Sequence, residues 1–138
     1  MEMIVQSLSG IAGFALYFAV ALLLLMVFKW VYVLITPHDD WKLVKQENNT
    51  AAAIGVIGAV IGFSLALSSA ASNSVSLVDF AVWGLVALVA QSIAFLMVRF
   101  LFMPKVVERI NQDELAAGVI LGGVSVAVGL LNAACMTY

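Results

Sequence analysis

The residues whose types suit chemistry are few in this chain. His38, Asp39, Asp40 and Glu47 fall in one short stretch and come nearest to a metal cluster. His38 is the sole histidine, however, and the carboxylates follow no ligand spacing such as a pair of histidines one helical turn apart. Trp41, Leu43 and Val44 interleave with Lys42 and Lys45 over the same residues. That mixture fits a short amphipathic helix on a membrane surface better, with Pro37 near its first turn and the tryptophan at headgroup level. Cys135 is the single cysteine, which excludes a disulfide within the chain and a thiolate metal site. There is no Ser-His pair that one helix period assembles, no phosphate-binding loop, and no carboxylate or histidine deep in an apolar run to relay protons. The expectation is a protein that is not an enzyme and uses neither metal nor cofactor.

The elements that would position any site are set by composition. Of 138 residues, 64% are apolar and 10% charged, with a mean hydropathy of +1.14, whereas a soluble domain carries about 25% charged residues. A domain of this size still exposes roughly 30% of the surface of its unfolded chain, and so few polar groups cannot cover it. The solvent around most of this chain must be lipid. A net charge of −2 gives no clustered cations for nucleic acid.

Apolar runs long enough to cross ~30 Å of hydrocarbon, about 20 residues each, extend from Leu8 to Ile35, Ala51 to Ser72, Leu77 to Phe102 and Leu115 to Thr137. They lack the alternation of barrel strands, so four transmembrane helices are expected. A cleavable leader is not expected, because Glu2 and no Lys or Arg precede the first run. Thr36-Pro37 and Met103-Pro104 end the first and third helices, since the residue before proline is pushed out of helical geometry. Asn48, Asn49 and Thr50 are candidate caps of the second helix, Ser76-x-x-Asp79 reads as a capping box for the third, and Asp113 and Glu114 place negative charge at the start of the fourth.

Lys29, Lys42, Lys45, Arg99, Lys105 and Arg109 are all the cations, and each lies in or near the two connectors at 36–50 and 103–114. The positive-inside rule then places both connectors in the cytoplasm and both termini outside. Lys29 and Arg99 fall within the apolar runs and are expected to reach back to the cytoplasmic interface, because a charge at the bilayer centre costs roughly 2.5–3.5 kcal/mol. The alternative is that the two cations line a vestibule that attracts anions. Lys29, Trp41, Lys42, Lys45, Arg99, Lys105 and Arg109 form the expected cytoplasmic interface, where the connector lysines can also meet anionic lipid or a cytoplasmic partner.

The chain also divides into two similar halves, residues 1–74 and 75–138, within one membrane domain. "LLMVFKWVYVLITP" (24–37) matches "FLMVRFLFMP" (95–104), and "TAAAIGVIGAVIGFSLALSSAA" (50–71) matches "ELAAGVILGGVSVAVGLLNAAC" (114–135), with Gly58 against Gly122. Two helices per half return the chain to its starting side, so the halves should be parallel repeats about an axis along the membrane normal. Gly58-x-x-x-Gly62 and Gly118-x-x-x-Gly122 let helix backbones approach closely, within one chain or across a homo-oligomer. A second reading is that small residues leave room for a pore. Gln91, Ser92, Ser64 and Asn132 each suit an interhelical hydrogen bond, about 0.6 kcal/mol on average, while Ser64, Ser68, Gln91 and Asn132 are the candidates for a polar path through the membrane.

The stretches "ITPHDDWKLVKQENNTAA", "ALSSAASNSVSLVDFAVWGLVALVAQ" and "NAACMTY" resemble the YjfL-like bacterial inner-membrane proteins, a domain of unknown function family numbered 350. The resemblance covers nearly the whole chain. It implies two copies of a small membrane repeat in the inner membrane, and an association with phage-shock-like coat proteins and envelope stress; it implies no catalytic residue. Two functions are carried forward: a non-enzymatic component that supports a stress response through its cytoplasmic connectors, and a small oligomeric channel or transporter.

Overall fold

Runs of Leu, Ala, Val and Met without an interior proline can satisfy their backbone groups in lipid only by coiling. The protein, a computed structural model describing residues 1–36 and 40–136, is all-α. Four long helices carry the apolar runs: α1 (Glu2–Ile35), α3 (Thr50–Asn73), α4 (Leu77–Met97) and α6 (Leu115–Cys135), with the short α2 (Asp40–Glu47) and α5 (Val106–Asn111) in the polar connectors. α4 continues through π-helical turns at Val98–Phe102, closed by Met103 N–H donating to the Val98 carbonyl at 2.7 Å. All four long helices are long and apolar enough to span a membrane.

The ends follow local chemistry. Thr36 leaves the helix at φ −91°, ψ 121°, the extended region that a following proline imposes. Ser76 Oγ accepts from Asp79 N–H at 3.1 Å, and Asp79 Oδ2 in turn accepts from Val75 N–H at 3.0 Å. At the other limit α1 begins at Glu2, six residues before the apolar run, because Gln6 and Ser7 are compatible with a helix and Glu2 favours its positive end. Thr137, expected to close the fourth span, lies outside the described residues.

Contacts fix the directions. Tyr17 stacks on Phe80 and Tyr32 meets Phe95, so α1 and α4 run the same way. Ala51 faces Gly118, Gly58 faces Gly122 and Gly62 faces Gly129, so α3 and α6 also run together. Ser125 lies against Gln91 and Asn132 against Ala87, so α4 and α6 are antiparallel. Both long connectors therefore meet at one end of the bundle, which also holds the six cations.

Two different seams hold the bundle. Between α1, α3 and α4 the filler is aromatic: Phe28 stacks on Phe63 at 4.6 Å between centroids, Tyr17 on Phe80 at 5.4 Å, and Tyr32 meets Phe95 edge-on at 6.1 Å. Such pairs add about 0.5–1.5 kcal/mol each beyond their burial. Between α3 and α6, the most extensively packed pair, the filler is absent. A methyl group on Gly58 would collide with the backbone of Gly122, one on Gly62 with Ser125, one on Gly118 with Ala51 and one on Gly129 with Gly62. Backbone touches backbone along this line, the approach that small residues allow where lipid gives no hydrophobic drive between helices. α3 belongs to both seams and is the central helix, with 56% of its most apolar stretch buried against 11% for α1.

Candidate functional site

The end that gathers the six cations, and with them six of the eight carboxylates, is built from the two connectors. Leu43 of α2 and Val106 and Ile110 of α5 are buried, with Trp41, Val44 and Val107 packed at their margins. The apolar face of α2 expected on the membrane surface is turned partly onto the end of the bundle itself, and α5 packs there too. Each connector then enters the following long helix through a left-handed residue, Asn48 at φ 50° and Asp113 at φ 56°, the side-chain types that tolerate this region best.

Asn49 joins the connectors. Its Oδ1 accepts from Ala52 N–H at 2.8 Å and caps α3, while its Nδ2 donates to the Ile110 carbonyl at the end of α5 at 2.6 Å. Asp113 reaches the opposite way: its Oδ1 accepts from Ala51 N–H at 3.0 Å. Asp113 was expected to serve its own helix α6, but its charge sits at the start of α3. Glu114, which precedes α6, instead pairs with Arg109 at 3.1 Å. Four orphan N–H groups at a helix start need acceptors, and here each connector supplies one to α3.

The cations divide by partner. Lys29, half-buried in the last third of α1, holds its Nζ 4.9 Å from the centre of the Trp41 ring, and the exposed Lys45 holds its Nζ 5.7 Å from the same ring. Arg99, also half-buried, lies over Phe100 at 5.5 Å. Arg109 binds Glu114 and the Met103 sulfur, while Lys42 and Lys105 are exposed. His38, Asp39 and the side chain of Asp40 lie outside the described residues.

The polar residues within the spans do not share one path. Ser64 and Ser68 line an outward groove of about 440 Å³ with Phe18, Leu25, Leu67 and Phe80. On α3 they stand two or more residues round the helix from Gly62, on its far side at 100° per residue. Gln91 is 1% exposed against Gly62 and donates from Nε2 to the Ser125 carbonyl at 2.7 Å. Asn132 donates to the Ala87 carbonyl at 3.4 Å, one turn from Gln91 on the same α4–α6 contact. Gln91 and Asn132 thus join one interface, and the two serines face another.

Gln91 keeps an unsatisfied acceptor, Oε1, in the dry bundle. A buried polar atom without a partner costs about 1–3 kcal/mol, which outweighs or matches the about 0.5–1.5 kcal/mol that the Nε2 bond to Ser125 contributes. Gln91→Met is therefore expected to leave the thermal midpoint of the purified protein unchanged or to raise it. A fall of several degrees would show that Oε1 is satisfied in the membrane, by water for instance.

An all-helical bundle with four apolar spans, a glycine seam and its polar connectors gathered at one end defines a small polytopic membrane protein. The chain belongs to the family described as Domain of Unknown Function (DUF350), whose family model matches residues 5–136. It is similar to the UPF0719 inner membrane protein YjfL of Escherichia coli (strain K12), 42% identical over 131 residues that cover 95% of this chain and 98% of the relative; the Escherichia coli O157:H7 protein of that name matches equally. It is also similar to the UPF0719 transmembrane protein YshE of Bacillus subtilis (strain 168), 30% identical over 121 residues, 87% of this chain and 90% of the relative. No solved structure matches the chain. With the four apolar spans, these relatives make it a multi-pass inner-membrane protein.

Proposed function

We propose that the protein is a non-enzymatic component of the inner membrane that supports the response to envelope or membrane stress, presenting its connector end in the cytoplasm to a peripheral phage-shock-like coat protein. The observation that carries this reading is the clasp of Asn49 on Ile110 and Asp113 on Ala51, which ties the two connectors into one platform. A platform of fixed shape suits recognition, because less ordering is lost when a partner binds. The gathering of six cations at that end supports a cytoplasmic placement with both termini outside. The approach of Gly58 to Gly122, positions that align between the halves, supports two parallel repeats about an axis through the α3–α6 seam.

The test is recruitment. Proteoliposomes holding the protein should retain a purified phage-shock-type coat protein in a flotation assay, and reversing the charge of Lys42, Lys105 and Arg109 together should lower retention at least fivefold. Equal retention by protein-free liposomes of the same lipids would overturn the reading.

The second reading, a small channel or transporter, draws on the groove that holds Ser64 and Ser68. It opens outward from a single chain, so a route for solute would run between copies in a homo-oligomer. Ion or solute flux into liposomes that disappears with Ser64→Leu and Ser68→Leu would favour it; flux equal to protein-free liposomes would remove it.

A further inference from the structure

The Trp41 ring gathers two ammonium groups that come from different helices, Lys29 from α1 and Lys45 from α2. Among the described residues neither forms an ion pair with a carboxylate; Arg109 and Glu114 make theirs elsewhere. Two like charges held near one ring repel, and the aromatic face offsets that only in part. An anion between them would relieve it.

The depth of the ring indicates the source of the anion. Lys29 lies six residues before the end of α1, roughly 9 Å along the helix at 1.5 Å per residue, which sets its ammonium near the layer of lipid phosphates and not in bulk water. Behind the ring, Phe28, Tyr32, Val56, Ala59 and Val60 leave a gap of only about 10 Å³, so a ligand meets the ammonium groups from the outer side. A phospholipid of the surrounding leaflet meets that depth, with its phosphate beside the two ammonium groups. An anionic headgroup such as phosphatidylglycerol suits two cations. Phosphatidylethanolamine would bring a third positive charge to the same place.

We infer that Lys29, Trp41 and Lys45 form a binding site for the phosphate of one anionic phospholipid in the leaflet at the connector end. The inference goes beyond the proposed function and does not rest on it, since it requires only that this end meets headgroups.

Native mass spectrometry of the full chain in detergent tests it, with phosphatidylglycerol and phosphatidylethanolamine of identical acyl chains as the probes. One phosphatidylglycerol should bind per chain at least tenfold more tightly than phosphatidylethanolamine. Lys29→Gln with Lys45→Gln should abolish the difference, and Lys29→Arg with Lys45→Arg should preserve it. Lys45→Gln alone changes only an exposed side chain, leaves packing intact and should still lower the preference severalfold. Equal binding of the two lipids, or a preference that survives Lys45→Gln and the double Gln variant, would overturn the inference. Displacement of the lipid by millimolar inorganic phosphate, with phosphate binding just as well without lipid, would assign the site to free phosphate and overturn its lipid assignment.

Discussion

Gly58→Leu is expected to lower the thermal midpoint of the purified protein by 10 °C or more, while Gly123→Leu leaves it within about 2 °C. The two glycines belong to the same α3–α6 region but face opposite conditions. A side chain on Gly58 runs into the backbone of Gly122, and backbone cannot rotate away as a side chain can. A side chain on Gly123 meets nothing within 4 Å. Overpacking costs about 1–3 kcal/mol even where neighbouring side chains can shift. Here α3 and α6 must part, and the contacts at Gly62, Gly118 and Gly129 weaken with them. At about 4 °C per kcal/mol for a chain of this size, the expected shift follows from roughly 3 kcal/mol. Equal midpoints for the Gly58 and Gly123 variants would show that this seam does not hold the bundle.

The second large effect is expected at Asn49. Asn49→Ala removes an N-cap, about 0.5–2 kcal/mol, and one bond to the Ile110 carbonyl, which keeps the Asp113 N–H at 2.9 Å, about 0.5–1.5 kcal/mol. Together these should lower the midpoint by roughly 4–14 °C at the same conversion. Asn49→Asp keeps an acceptor for Ala52 N–H but loses the donor to Ile110, so it should suffer and fall between the parent and the alanine variant. Amide hydrogen exchange separates the two roles: α5 should exchange faster in both variants, and the first turn of α3 only in Asn49→Ala. Unchanged exchange in α5 for both variants would show that the clasp contributes nothing.

Much of this fold was legible because charge and proline are costly inside a membrane. The gaps between ionisable residues gave four spans, and Pro37 and Pro104 gave two of their ends. The start of α1 was not legible, because apolar runs mark where lipid begins and helices continue past it through residues such as Gln6. Gly58 and Gly122 announced a close approach through their spacing. A small-residue pattern states that a backbone can come near, however, and is silent on which backbone, so the match of Gly58 to Gly122 and of Gly62 to Ser125 and Gly129 needed the structure. The aromatic seam was missed, since Phe28, Phe63 and Phe95 are as much at home facing lipid as facing one another.

The candidate site divides in the same way. Asn49 was visible as a cap from its place before an apolar run, but its bond to Ile110 joins residues 61 apart and has no local signature. Asp113 was assigned to the nearer helix, and the left-handed turn at its own position directs it to the farther one. Ser64 and Gln91 looked like one polar set when counted along the chain. Helical rotation sets Ser64 on the side of α3 away from Gly62, but that Gln91 of α4 lies against Gly62 has no signature along the chain.

The first helix has a consequence for the bilayer around it. Thirty-four residues rise about 51 Å, and a hydrocarbon slab of about 30 Å crossed at a 40° slant accommodates only about 39 Å. Some eight residues are left over, half of them polar and half apolar, with Met3, Ile4, Val5 and Leu8 each more than 60% exposed. Either the lipid around this rod swells to meet it, or a half-oily stub stands clear of the surface opposite the lysines.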